Sequence, residues 1–285
     1  MIYLKNYKGW LFESFEEKIR ILDDMSKRKD WQDRLIAADN LDSTEEIFNR
    51  LSRDPLSAIR SAVANNPKAS PSALKYLYYN RGDKLEIQNN WRITRYAILN
   101  PNMPIDVLRD ITESALDDHP TTASSIDGGP TGPHLEWALE NPNMPTDLLN
   151  DIIQRGPGPL KKKVARHPNA SEDILLSLSD DPVPLIRIAI IKNPNVSPEI
   201  LSKLSRDTNF VVRAEIASLS NAPIETLVAL KHDENEEVRE RAFNTLQYLV
   251  SSDRSLENKI EELEALLDLG IRSDVNTLNL DELDI

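Results

Sequence analysis

The side chains considered first as metal ligands or general bases are the four histidines and adjacent aspartates such as Asp117-Asp118 and Asp180-Asp181. The histidines lack the His-Glu-x-x-His spacing of a zinc site, and the aspartates lie in turns, where carboxylates commonly cap helices. There is also no cysteine, no glycine-rich phosphate loop and no Gly-x-Ser-x-Gly nucleophile elbow. We therefore predict no catalytic residues, no metal and no cofactor. The residues concerned are His119, His134, His167, His232, Asp117-Asp118 and Asp180-Asp181.

The sequence is richer in residues suited to binding a partner than in residues suited to catalysis. Clustered lysines and arginines attract phosphates or carboxylates, and aromatic and arginine side chains are frequent anchors of protein interfaces. Two structural alternatives stay open, namely that the loop aspartates only neutralise the lysines and that the tryptophans fill gaps between shifted helices. The candidate partner-binding residues are Trp91, Arg92, Arg95, Asp117, Asp118, Asp127, Trp137, Lys161, Lys162, Lys163 and Arg166.

An internal repeat must position these residues. An Asn-Pro-Asn phrase followed by a leucine-rich stretch recurs, with starts at Asn66, Asn100, Asn141, His167 (in place of Asn) and Asn193. Counted from Asn40, the successive intervals are 26, 34, 41, 26 and 26 residues. The basic unit therefore has 26 residues, and two units are expanded. Such a period is typical of an array in which each unit packs only against its neighbours.

Each unit reads as two short helices. In the copy that starts at Asn193, Ser197 is a suitable N-cap and Pro198 is tolerated in the first turn, so a first helix is predicted over 198–205. Asp207 is predicted to cap the second helix. Neither helix is long enough to be stable alone, so the units must stack. No alternating strand pattern occurs, and we predict an all-α fold of about seven two-helix units without a β-sheet.

An aspartate followed six residues later by an arginine is a second regularity, and Lys161 takes the arginine position in one unit. Six residues correspond to roughly 600° of helix rotation, so the two side chains of one pair do not share a face. We predict that each aspartate caps its own helix while each arginine reaches the neighbouring unit, forming a structural ladder. Its members are Asp54, Arg60, Asp181, Arg187, Asp207, Arg213, Asp233 and Arg239.

The phrase Asn-Pro-Asn-x-[Ser/Pro]-Pro-Glu-Ile-Leu-x-x-Leu-Ser-x-Asp, followed by [Val/Ile]-Arg, resembles the leucine-rich repeat variant family over about residues 38–245. The Asp and Arg spacing is also similar to HEAT repeats. The resemblance implies a right-handed α-solenoid that offers a binding surface to another macromolecule. A founding member of that family carries a cysteine-ligated iron–sulfur cluster, and since this chain has no cysteine that property does not carry over.

Three regions follow from the repeat pattern: an aromatic helical cap over 1–37, the repeat array over 38–245, and a capping helix with an acidic tail over 246–285. Insertions near 80–90 and 114–133 interrupt the array between first and second helices. Because insertions in solenoids map to one face, these two loops and the nearby lysines are predicted to lie on one edge and to form the partner site.

Composition and net charge further restrict the class of partner that we expect. The formal net charge is −13, and the ten acidic and three basic residues of 251–285 carry −7 of it. This balance disfavours nucleic acid as the partner. No run approaches the length of a membrane span, and we expect a cytoplasmic protein. We predict a non-catalytic scaffold for another protein, an adaptor or an inhibitor that neutralises a basic partner. The alternatives are a nucleic-acid-binding solenoid that uses Lys161–Lys163, Arg166, Arg92 and Arg95, and a metal-dependent enzyme built on the long loop.

Overall fold

The computed structural model describes residues 14–80, 87–117 and 133–268 of the 285-residue chain. Over these ranges the chain forms seventeen α-helices and no β-strand. The prediction of an all-α repeat fold is confirmed, while the right-handed sense of the array stays a prediction. The helices fall into two compact units, residues 1–155 and residues 156–285, each described here by itself.

In its described residues the first unit contains nine helices. They are α1 (Phe15–Met25), α2 (Trp31–Asp39), α3 (Glu45–Leu51), α4 (Ser57–Asn65), α5 (Pro71–Tyr79), α6 (Ile87–Leu99), α7 (Ile105–Asp117), α8 (His134–Ala138) and α9 (Thr146–Arg155). The second unit contains eight. They are α10 (Gly158–Arg166), α11 (Glu172–Leu178), α12 (Pro184–Ile191), α13 (Pro198–Leu204), α14 (Phe210–Ala217), α15 (Ile224–Leu230), α16 (Glu236–Ser252) and α17 (Leu256–Asp268).

Odd- and even-numbered helices alternate as the first and second helices of successive repeats. Second helices pack against one another in chain order, α2 through α8 in the first unit and α10 through α16 in the second. The local signals act as expected in α13, where the Ser197 hydroxyl accepts a hydrogen bond from the Ile200 N–H and Pro198 begins the helix. Ile200, Leu201 and Leu204 are buried, so the helix is held by packing.

Buried asparagines connect each repeat to the one before it. Asn193 Nδ2 donates to the carbonyls of Ala165 and His167 at 2.8 and 2.9 Å, and its Oδ1 accepts from the Asn195 N–H at 2.8 Å. Asn66, Asn100 and Asn141 make the same pair of donations to their preceding repeats. Since helix ends leave carbonyls without intrahelical partners, one amide per repeat satisfies two of them and fixes the stacking distance.

The arginine ladder is present, and its geometry corrects one detail of the prediction. Arg187 donates from Nε and Nη2 to the Asp207 carboxylate of the next repeat, at 2.5 and 2.7 Å, and from Nη1 to the Asp181 carbonyl, at 2.6 Å. Arg213 binds Asp233 and the Asp207 carbonyl in the same way. The prediction that the aspartate is itself the helix cap was wrong, because Asp207 accepts the N–H of Asn209, which is the N-cap.

The remaining ladder members follow the same pattern where the structure describes their contacts. Arg60 and Arg239 donate to the carbonyls of Asp54 and Asp233, six residues before them. Asp54 is bound by Arg34, at 2.6 Å from Nε, a partner that the sequence reading missed. Arg34 also donates to a carbonyl six residues earlier, so the ladder contact begins within the region assigned to the cap.

The two ends of the chain differ partly from expectation. The region assigned to the N-terminal cap holds α1 and most of α2, and these form an eighth helix pair in addition to the seven predicted. A C-terminal helix, α17, lies within the region 246–285 that was predicted to hold the capping helix. Both insertions lie between a first and a second helix, as predicted, although α7 continues to Asp117 and α6 already begins at Ile87. The acidic tail over 271–285 lies outside the described residues.

Candidate functional site

The candidate partner-binding residues lie mostly on second helices. Trp91, Arg92 and Arg95 are on α6, Trp137 is on α8, and Lys161–Lys163 and Arg166 are on α10. Asp117 ends the first helix α7, whereas Asp118 and Asp127 lie outside the described residues. The α6 and α8 residues belong to the first unit and the α10 residues to the second, so the two groups are described separately.

On α6 a large apolar surface lies beside cationic side chains. Trp91 is 50% exposed. The next residue, Arg92, donates from Nη2 to the Tyr96 hydroxyl at 3.3 Å and lies over that ring, 5.9 Å from its centroid. The hydrogen bond from Arg92 lowers the pKa of the Tyr96 hydroxyl below its ordinary value. Trp91 is thus accessible to a partner, and Arg92 is held in place by a neighbour on its own helix.

Trp137, the matching aromatic residue on α8, has a different environment. It is half-buried and lies 5.3 Å from the buried His134 ring, which in turn contacts Tyr78 at 5.9 Å. Trp137 thus packs against a residue of its own helix and is less accessible than Trp91. Arg95 Nη2 lies 3.9 Å from a Glu140 carboxylate oxygen, while its buried Nε has no hydrogen-bond partner among the described residues. Of the two tryptophans, Trp91 is therefore the more accessible to a partner.

Asp117 has a described partner within the first unit. Its carboxylate accepts a hydrogen bond from Arg155 Nη2 at 2.5 Å, and α9 carries this arginine at its last residue. The bond joins two neighbouring first helices, α7 and α9. Asp117 is 71% exposed at its side chain, so this surface pair adds little to stability.

The basic cluster on α10 separates into different roles. Lys161 Nζ donates to the buried Asp181 carboxylate at 3.0 Å, so it is a ladder residue as well as a candidate site residue. Lys163 is half-buried. Lys162 and Arg166 are exposed and form no ion pair within the part of the chain that the structure describes. Because they are four residues apart on one helix, both side chains face the same side.

An apolar surface next to this cluster was missed by sequence reasoning. Leu185 on α12 is 58% exposed, and Phe210 and Val211 on α14 are 41% and 44% exposed. An open groove of about 500 Å³ lies between α10 and α12, lined in part by Lys162, Val183 and Leu185. The sequence did contain an indication of this apolar surface, since Leu185 and Val211 occupy the same position in successive 26-residue repeats, two residues before the ladder arginine.

Acidic residues lie at the far end of the same row of second helices. Glu236 and Glu240 on α16 are exposed, four residues apart, and form no ion pair within the described residues. On the same helix Glu237 accepts from Arg241 at 2.6 Å. We call the exposed surfaces of α10, α12, α14 and α16 the second-helix face. Its order is basic, apolar, apolar and acidic.

First helices carry a different kind of surface. Ion pairs join neighbouring repeats there, such as Arg109 with Asp147 at 2.7 Å in the first unit and Lys203 with Asp180 at 2.8 Å in the second. Lys75 on α5 and Asp106 on α7 form another such pair. These ion pairs connect neighbouring first helices at their surface.

The structure offers no arrangement for metal chemistry within the residues it describes. No group of three or more histidine, aspartate or glutamate side chains lies close enough there to hold a metal ion. His119, which the metal alternative required, lies outside those residues, and His167 uses its Nδ1 to accept the Asn169 N–H at 3.0 Å. Among the helices described, none is long and apolar enough to cross a membrane.

No protein-family model matches the chain, and no curated protein shows significant similarity. A crystal structure of an engineered protein from the Northeast Structural Genomics Consortium aligns over 90% of this chain and 85% of its own, with 15% sequence identity and a TM-score of 0.37. A likeness at that level carries no argument about function. The resemblance to the leucine-rich repeat variant family therefore stays a prediction.

Proposed function

We propose that this protein is a non-catalytic scaffold that binds another protein through the second-helix face of residues 156–285. The observation that supports this most is the exposed apolar surface of Leu185, Phe210 and Val211 on neighbouring helices. Adjacent exposed side chains of this size are typical of interaction sites. The arginine ladder beneath them holds α12 and α14 in place, so little conformational entropy is lost on binding.

Matched leucine variants test this role. Leu185 and Leu176 are both exposed leucines of the second unit, at 58% and 47%, but Leu185 is on second helix α12 and Leu176 on first helix α11. We expect Leu185→Asp to abolish retention of a protein partner from extract of the source cell, while Leu176→Asp retains it. Equal retention by both variants, with unchanged circular dichroism, would contradict the proposal.

Nucleic acid is the alternative partner, and the exposed Lys162 and Arg166 favour it. The same capture experiment separates the two classes when it is repeated after nuclease treatment and at increasing salt. A protein partner persists after nuclease treatment, because its contacts include the apolar surface. Phosphate binding weakens steeply with salt, since each neutralised phosphate releases a counterion. Loss of all retention after nuclease treatment would therefore indicate that the partner is a nucleic acid.

A further inference from the structure

We infer that the partner of the second-helix face is a polarised segment of another protein, acidic at one end, apolar in the middle and basic at the other. This inference rests on the proposed scaffold function and adds the chemistry and direction of the partner. It follows from the order of the four second helices and from which of their charges are already used.

The two ends of the face carry opposite charges that are available for a partner. Lys162 and Arg166 lie on α10, and Glu236 and Glu240 lie on α16. All four side chains are exposed, and none forms an ion pair within the described residues. Each pair is spaced by four residues, so both of its members face the same side of their helix.

The middle of the face is apolar and has its own charges balanced. Leu185 on α12 and Val211 on α14 occupy equivalent positions in consecutive repeats, and both are exposed. The charged side chains of α12, its C-cap and α14 are all engaged: Arg187 and Arg213 bind the ladder aspartates, and Lys192 and Glu215 bind each other at 2.7 Å. A partner charge placed over the middle would find no free opposite charge and would be desolvated, so the centre of the segment must be apolar.

The length of the face sets the length of the segment. Neighbouring helices pack about 8–10 Å apart, so the distance from α10 to α16 is about 25–30 Å. A helical segment rises about 1.5 Å per residue and needs roughly 16–20 residues to cross this distance. Its acidic end must lie over α10 and its basic end over α16, because the opposite direction places like charges together.

A designed peptide tests the inference directly. The probe is an 18-residue fluorescein-labelled helical peptide with glutamates at one end, leucines along the middle of one face and lysines at the other end. The control peptide has the same composition with both charge types mixed at both ends. Binding is measured by fluorescence anisotropy to the full-length protein. We expect the polarised peptide to bind at least about tenfold more tightly than the mixed one.

Charge reversal then tests the direction. Lys162→Glu with Arg166→Glu, or Glu236→Lys with Glu240→Lys, replaces two attractive contacts by repulsive ones, and we expect each to weaken binding about tenfold. The variant that carries all four reversals should bind the polarised peptide again, in the opposite direction. A nitroxide on its acidic end then broadens the amide signals of α16 instead of α10. If a reversed variant fails to fold, the neutral set Lys162→Gln and Glu240→Gln replaces it.

The outcomes separate the inference from the function on which it rests. Equal binding of both peptides, failure of the polarised peptide to bind, or indifference to charge reversal overturns the inference. If Leu185→Asp still removes the captured protein in those cases, the scaffold function stands without it. Self-association of the protein through this face, seen as a dimer in sedimentation and lost in Leu185→Asp, likewise overturns the inference, because the site is then occupied by a second copy.

Discussion

Replacing Arg187 by alanine is expected to destabilise the second unit far more than any surface substitution on the same helix. The Arg187 side chain is 10% exposed, and the carboxylate that it binds, Asp207, is 6% exposed. Its three hydrogen bonds join α12 to the turns before α12 and α14. Deleting the guanidinium leaves a buried carboxylate and a carbonyl without those partners.

The expected loss of unfolding free energy follows from the burial of this ion pair. Removing one partner of a buried ion pair costs about 3–5 kcal/mol, because the other charge stays desolvated. Asp207 retains the Asn209 N–H, so we expect about 3 kcal/mol, near the lower end of that range. The matched control is Lys192→Ala on the same helix. Lys192 is 47% exposed and pairs with Glu215, and loss of such a surface pair costs at most about 1 kcal/mol.

Urea unfolding followed by circular dichroism measures the difference, provided that the slope with denaturant stays unchanged. Because repeat arrays can open locally, hydrogen exchange should show the loss first in α12 and α14. A double-mutant cycle with Asp207→Ala isolates the pair and should return a coupling energy of about 2–3 kcal/mol.

Two results would refute this reasoning. The first is a free energy of unfolding for Arg187→Ala within about 1 kcal/mol of that for Lys192→Ala. The second is a coupling energy near zero in the cycle with Asp207, which would mean that the bidentate contact contributes nothing beyond its separate halves. Either result would remove the ladder as the element that holds successive second helices in register.

Three further predictions concern stability. Asn193→Ala should cost about 2–4 kcal/mol in urea unfolding because two carbonyls lose their donor, whereas Asn195→Ala, which loses one exposed contact to the Pro168 carbonyl, should cost less than about 1 kcal/mol. Burial raises the pKa of the Asp233 carboxyl, but hydrogen bonds from Arg213 and a backbone N–H outweigh burial, so its folded pKa is lowered. The Asp233 carboxylate therefore stabilises the fold above its unfolded pKa, and this stabilisation is lost as pH falls through the folded pKa. In Arg213→Ala the folded pKa of Asp233 should rise towards its unfolded value, so the acid-dependent loss of stability should become smaller, as acid titration of stability would show; an unchanged loss would contradict the assignment. Trp91→Ala should leave the unfolding free energy within about 0.5 kcal/mol of the parent, since half of that side chain is already exposed.

The sequence predicted features that depend on local interactions and missed features that depend on contacts between distant residues. Helix α13 was predictable because Ser197, Pro198 and the leucine spacing act within one turn or two. The buried asparagines were visible as a repeated letter, but their role was not, since Asn193 binds carbonyls 26 and 28 residues before it. The exposed Leu185 was missed for a similar reason: a leucine at a regular helical position indicates a core residue until its neighbours are known.

The sequence by itself determined the repeat, its 26-residue unit, the two-helix plan and the recurring acid and base positions, because capping, turn chemistry and hydrophobic spacing are local properties. Only the tertiary structure decided which groups meet. Arg187 binds the carboxylate twenty residues after it and only the carbonyl of the aspartate six residues before it, since stacking brings the next repeat's turn beside α12. The tertiary structure also decided exposure: Trp137 is half-buried, whereas Trp91 and Leu185 are exposed.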